Sequence, residues 1–171
     1  DVRDVMCNGR WLMRDRDLLT VEPEKLYDLA GDYAKQIDEF LTRQQRHIDN
    51  HGVCFGAVEL GAQEQVVGVA GMQPLDGREF KGEFELGWWI WKDYWGQGLA
   101  LEAITPFIPH SRNMGLSRLF AVIDPPNSAS IRVAEKLGML YDRTISAKET
   151  VATRDEKPAC IYAMDLTPAP N

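Results

Sequence analysis

Gly96 and Gly98 stand in the run Tyr94-Trp95-Gly96-Gln97-Gly98-Leu99-Ala100, between an aromatic, strand-like segment from Phe84 to Trp91 and a stretch with helical spacing. Glycines at a strand-to-helix junction let the backbone come close to a ligand, and the N–H groups of the helix's first turn, which lack intrahelical partners, point at whatever lies there. An anion is the natural occupant. Ala100, Ala103, Ile104, Phe107 and Ile108 recur at i, i+3, i+4, i+7 and i+8, so the glycines open an amphipathic helix. The loop has neither the Gly-Lys-Ser/Thr ending of a Walker loop nor the third glycine of a dinucleotide fingerprint, which speaks against a nucleotide-binding module. The bland alternative is a Gly-rich turn without a ligand.

Residues 118–139 add a second cluster, Arg118-Leu-Phe-Ala-Val-Ile-Asp124-Pro-Pro-Asn127-Ser-Ala-Ser130-Ile-Arg-Val-Ala-Glu-Lys136-Leu-Gly138-Met139. In this order and separation the two segments resemble the GNAT superfamily of acyl-CoA-dependent N-acetyltransferases. The loop is similar to that superfamily's pyrophosphate-binding pattern, Gln/Arg-x-x-Gly-x-Gly/Ala, with Trp95, Gly98 and Ala100 in the three defined places. Tyr-Trp-Gly-x-Gly and Asn127-x-x-Ser130 followed by Glu-Lys-Leu-Gly resemble the branch of ribosomal-protein N-terminal acetyltransferases, with Gln97 where that branch usually has lysine. The likeness runs loosely from about residue 10 to 167 and is clearest over 84–140.

The resemblance implies acetyl-CoA as acyl donor, held by Trp95, Gly96, Gln97, Gly98, Leu99 and Ala100 at its pyrophosphate and by backbone groups of Trp88, Trp89 and Ile90 along its pantetheine, with a backbone N–H near Ile90 facing the thioester oxygen. Asn127 is implied as a further pantetheine contact and Ser130 as the group beside the sulfur. Amide formation from a thioester needs a base to free the amine, a donor for the oxyanion and an acid for the departing thiolate. Glu85 is the candidate base, directly or through water, because a carboxylate half-buried among Trp and Phe is pushed towards a useful basicity. Its alternative is structural, a carboxylate paired with a neighbouring strand or capping a turn. Many relatives use a tyrosine acid where this chain has Ala134, so Ser130 is the candidate acid. Asn127 and Ser130 also have a local reading, as N-cap and first-turn residue of a helix starting at Ser128.

Composition is consistent with one cytoplasmic domain over 1–171, since 44% hydrophobic residues can bury a core without staples. Cys7, Cys54 and Cys160 are odd in number and form no C-x-x-C pair, favouring reduced thiols over disulfides or zinc. No apolar run has the length of a membrane span and no signal-like segment opens the chain, so no membrane partner is expected. A net charge of −7 argues against nucleic acid and mildly favours cationic partners, which amines are. His47 and His51 share a helical face, but no third ligand joins them; a solvated helix end is expected there, and no metal. The expected partner is a small-molecule amine or a protein N-terminus, with the chain a monomer or homodimer. The competing reading is a non-catalytic acyl-CoA-binding or regulatory domain.

The spacing predicts a strand near Trp11 to Arg14, a helix from Pro23 to Gly31, and a second from Tyr33 to about Asn50 with Ile37, Phe40, Leu41 and Ile48 inward. Strands follow at Cys54–Leu60, Val66–Met72 and Phe84–Trp91, joined by turns at Gly61–Gln65 and Pro74–Gly82. After the glycine loop come a helix broken near Pro106 and Pro109, a strand at Leu119–Asp124, the helix Ser128–Leu137, and strands at Tyr141–Ser146 and Ala159–Leu166. His110 reads as a polar residue at a frayed helix end. The order describes an α+β fold. The resemblance adds a mixed, mostly antiparallel twisted sheet of six to seven strands with helices on both faces, its fourth and fifth strands splayed for the cofactor.

Overall fold

The structure is a computed structural model that describes residues 5–7, 10–14, 17–18, 23–61, 65–151 and 154–166, with side chains from residue 34 onward. The chain forms two compact units, Asp1–Arg43 and Gln44–Asn171. The first contains three short antiparallel strands, β1 (Val5–Cys7), β2 (Arg10–Arg14) and β3 (Asp17–Leu18), in the order β1-β2-β3. The helix α1, Pro23–His51, runs from this unit into the second.

Two helices were expected where α1 is one. Gly31 does not break it: a glycine inside a helix costs only about 1 kcal/mol relative to Ala, and no proline or polar cluster accompanies it. The expectation that Ile37, Leu41 and Ile48 face inward is also corrected, for they are 58%, 57% and 46% exposed. Helical spacing determines which residues share a face; it does not supply a layer to cover that face. Instead Gln44 is buried, and the ring of His51 meets Phe84 edge-on with centroids 5.4 Å apart.

The second unit carries a six-stranded sheet in the order β4-β5-β6-β7-β9-β8. Its strands are β4 (Phe55–Leu60), β5 (Gln65–Pro74), β6 (Phe84–Ile90), β7 (Arg118–Ile123), β8 (Leu140–Ser146) and β9 (Pro158–Asp165). Every pairing is antiparallel except β6 with β7, which is parallel and has a single registered pair, Glu85 with Phe120. β6 therefore stays on the β5 ladder up to Ile90 while parting from β7 beyond Glu85.

Alternation sorts the side chains onto two faces. Phe84, Leu86 and Leu119 join Val53, Met72 and Leu166 in one cluster, and Ala121, Ile123 and Tyr162 continue that face against Ala134 and Met139. Phe120, Ile161 and Ala163 pack on the opposite face with Leu75, Phe80 and Val151, and the Phe80 and Phe120 rings meet at 90°. Glu85, between Phe84 and Leu86, projects to the face of Phe120.

α2 (Leu99–Ile104) lies against β5 and β6, and the first face is covered by α3 (Phe107–Asn113) and α4 (Ser128–Lys136). The expected interruption lies between α2 and α3, at Thr105 and Pro106. Pro109 is tolerated as the third residue of α3, where its missing N–H would have had no intrahelical acceptor. Ser111, fully buried, satisfies its hydroxyl by donating to the Phe107 carbonyl at 2.7 Å. No described helix is long and apolar enough to cross a membrane. Cys54 and Cys160 are free thiols, and burial pushes that of Cys54 up from its ordinary value.

Candidate active site

The parting of β6 and β7 leaves backbone groups without a strand to pair with. Trp91 N–H donates to Val67 O across the β5 ladder at 2.9 Å. Antiparallel alternation then gives Trp89 to that ladder and turns the N–H and C=O of Trp88 and Ile90 to the side where β7 has departed. The Ile90 carbonyl is taken by the indole N–H of Trp95 at 2.6 Å. This bond folds the glycine loop back onto the end of β6. The indole N–H of Trp88 is buried with no hydrogen-bond partner among the described residues.

Two adjoining cavities occupy the gap. One, of about 580 Å³, is lined by Trp88, Trp89, Ile90 and Trp95, by Gly96, Gly98, Leu99 and Ala100, and by α4 residues including Arg132 and Lys136. The other, of about 380 Å³, reaches from Trp88 and Trp89 to Glu85 and is bounded by Asp124, Arg154 and Asp155. Asn127 and Ser130 line both.

Gly96 and Gly98 have φ of 78° and 81°, a backbone region that side chains disfavour, and a Cβ at either would meet no protein atom within 4 Å. The glycines are thus required by conformation rather than by crowding. Gly98 is the N-cap of α2, and it makes no side-chain cap. The open N–H groups there, together with Arg132 and Lys136 one turn apart on α4, make this end of the gap favourable to an anion despite the acidic chain.

At the junction, Asn127 Oδ1 accepts the backbone N–H of Ser130 at 3.1 Å, the expected N-cap. This occupies the asparagine oxygen and leaves its amide N–H groups and the Ser130 hydroxyl for the cavities. Of the residues singled out in the sequence, Glu85, Ser130, Trp88, Trp89, Ile90, Trp95, Gly96, Gly98, Leu99, Ala100 and Asn127 line one cavity or both, whereas Gln97 is exposed and lines neither.

The surroundings of Glu85 differ from expectation. Its carboxylate is 2% exposed, fully rather than half buried, and its Oε1 accepts from Arg154 Nη2 and from Gln73 Nε2, the latter at 2.6 Å. A guanidinium and an amide, not an apolar wall, therefore face it. Arg154 Nη1 also donates to Thr150 Oγ1 at 2.8 Å. Nearby, the Lys157 ammonium lies 2.7 Å from Asp155 and holds that carboxyl below its ordinary range. Spacing could not pair Glu85 with Arg154, which follow one another by 69 residues. Gln73 was within reach of sequence reasoning, because a hairpin with the turn Pro74–Gly82 brings it opposite Glu85.

The acetyltransferase (GNAT) domain model matches residues 11–140, more than half of the chain. The chain belongs to the GNAT acetyltransferase family. Its members transfer acetyl groups from acetyl-CoA, and as one of them it is an N-acetyltransferase. YkkB of Bacillus subtilis (strain 168), an uncharacterized protein, is 33% identical over 158 residues that cover 88% of this chain and 87% of YkkB. Among solved structures, a putative GNAT-family acetyltransferase from Bordetella pertussis superposes with a TM-score of 0.61 at 25% identity, covering 72% of each chain. A putative ribosomal-protein-serine acetyltransferase from Vibrio cholerae shares the fold, with a TM-score of 0.60 at 21% identity over 74% of this chain and 72% of that one. The GNAT sheet of these proteins is the frame in which the gap between β6 and β7 lies.

Proposed function

We propose that this GNAT domain moves the acetyl group of acetyl-CoA to a primary amine by direct attack while both are bound, without a covalent enzyme intermediate. One observation carries the reading: two cavities meet where β6 leaves β7, with an anion-favouring glycine loop at one end, a buried carboxylate at the other, and Asn127 and Ser130 at the junction. The residues fit the cofactor. The loop 95–98 with Leu99, Ala100, Arg132 and Lys136 suits its phosphates, and the turned-out backbone of Trp88 and Ile90, with Asn127, suits a pantetheine arm that pairs like a strand. When bound, acetyl-CoA supplies an activated acyl carbon and a thiolate leaving group.

The protein's part is positioning and proton transfer. Glu85 takes a proton from the acceptor ammonium, freeing the lone pair that attacks. A backbone N–H of β6 turned to the gap, that of Ile90 or that of Trp88, which lines both cavities and lies nearer to Glu85, donates to the negative charge on the acyl oxygen. Ser130 gives a proton to the departing sulfur, and its hydroxyl is restored by the second proton that the nitrogen loses as the amide forms. The acceptor reaches Glu85 from the cavity bounded by Asp124, Arg154 and Asp155, and both a small-molecule amine and a protein N-terminus suit it. That the Vibrio cholerae neighbour is named for a ribosomal-protein serine keeps protein N-termini in the test panel. Incubation with acetyl-CoA and a panel of amines and N-terminal peptides is expected to release free thiol in proportion to acceptor. Tight acetyl-CoA binding with no acceptor-dependent thiol release would favour the non-catalytic domain. At subsaturating acceptor the rate should rise with pH and level off, because the fraction of acceptor amine already free of its proton rises and then saturates.

Ser130→Ala separates the acid from the helix residue. The cap uses the Ser130 backbone N–H, which alanine retains, so the melting temperature should hold. Turnover should fall by about 10²-fold while acetyl-CoA affinity changes little, since a bond made only to developing charge is lost. Unchanged turnover would leave thiolate departure to water.

A further inference from the structure

The Glu85 carboxylate ends a chain of side-chain amides that crosses the sheet. At its far end the backbone N–H of Phe55 donates to Gln44 Oε1 at 2.9 Å. Gln44 Nε2 donates to Gln73 Oε1 at 3.4 Å, the longest link, and Gln73 Nε2 donates to Glu85 Oε1 at 2.6 Å. All three side chains are buried. Gln73 and Glu85 are register partners on β5 and β6, so the sheet itself sets their separation.

The chain has a polarity. A backbone N–H can only donate, which obliges Gln44 to present its oxygen to Phe55 and its nitrogen to Gln73. Gln73 must then present its oxygen to Gln44 and its nitrogen to Glu85. The last acceptor is an oxygen without a proton. Arg154, also a donor only, takes the same Oε1. Oε1 is therefore held unprotonated from two sides, while Oε2 accepts no hydrogen bond from the described residues.

We infer that Gln73 is a positioning residue for the acetyl transfer, anchored through Gln44, and that it fixes Oε2 of Glu85 as the oxygen that receives the acceptor's proton. The inference rests on the reading of Glu85 as the base. In the step, an N–H bond of the acceptor ammonium breaks and an Oε2–H bond forms, leaving a free amine and a neutral carboxyl whose Oε1 still accepts from Gln73. Without Gln73 the carboxylate is held by Arg154 alone, its plane can tilt about the last torsion, and the oxygen left free by Arg154 no longer keeps a fixed direction toward the acceptor.

Gln73→Met removes both ends of the amide at similar volume. In the otherwise intact protein it is expected to lower kcat by about 10- to 100-fold, the scale of a small misplacement of a reacting group, with KM for acetyl-CoA and for acceptor unchanged. Added to Glu85→Gln, it should cost nothing further, because its effect passes through the missing base. A kcat equal to that of the parent, or a loss that multiplies with that of Glu85→Gln, overturns the positioning role and leaves the base reading intact. If instead Glu85→Gln alone keeps the parent rate, the base reading falls, and the inference with it. Should Gln73→Met fail to fold, Gln73→Asn keeps an amide on the strand but withdraws it by one methylene, and the same loss of kcat at constant KM is expected of it.

Discussion

Glu85→Gln is expected to lower kcat by about 10²- to 10⁴-fold, the usual contribution of a positioned general base, and to leave acetyl-CoA affinity essentially unchanged. The substitution is nearly isosteric. Its amide oxygen can stand where Oε1 now accepts from Gln73 and Arg154, so the buried chain of hydrogen bonds survives and only the basic oxygen is lost. The charge lost is the partner of Arg154, whose side chain is 25% exposed and can turn to water, so the cost of an unpaired guanidinium stays small. Cofactor affinity should hold because Glu85 lines the cavity away from the glycine loop. Turnover, acetyl-CoA binding by calorimetry and melting temperature on one preparation check all three statements. Equal rates for parent and variant across the pH range would make Glu85 a structural carboxylate and leave deprotonation to a water chain or to the free-base fraction of the acceptor.

Most of the second unit was legible because its signals are local. Alternation marked β4 to β9 to within one or two residues, a Gly-rich junction marked the start of α2, and Asn127 was readable as the cap of α4. The proline pair was read as a break by sterics alone. What could not be read was non-local or depended on absence of cover. Gly31 is a breaker only if nothing else favours the helix, and α1 runs through it. Ile37 and Leu41 have the spacing of a buried stripe yet stay exposed, since spacing carries no information about what lies opposite. The strand near Trp11 to Arg14 belongs to a three-stranded sheet of its own, and much of the chain before Pro23 lies outside the described residues.

The site divides along the same line. Trp95, the glycines and Ala100 are contiguous, and their conformational demands are written in their types. Glu85 is marked by its place on an aromatic strand, but the chemistry around it comes from Arg154 on the segment joining β8 to β9 and from Gln44, two turns before the end of α1, neither of which any period or spacing ties to β6. Its burial was underestimated for the same reason. A carboxylate can be buried completely when donors meet it, and those donors arrive only with the tertiary fold.

Gly98→Glu is expected to abolish measurable acetyl-CoA binding. The backbone at Gly98 has φ of 81°, so any side chain there strains the loop by about 1–2 kcal/mol, and the open space around its Cβ is the mouth of the larger cavity. A glutamate would fill that mouth with negative charge where Arg132 and Lys136 and the loop N–H groups favour a phosphate. Strain and repulsion are separable. Gly115, after α3, has a similar φ of 78°, has open space around its Cβ and lines neither cavity. Gly115→Glu should therefore show a comparable drop in melting temperature with cofactor affinity preserved. Calorimetry of both variants against the parent makes the comparison. If Gly98→Glu binds acetyl-CoA as the parent does, the phosphates do not lie on this loop; if both variants lose affinity together, the loss reports backbone strain transmitted through the fold rather than a contact at Gly98.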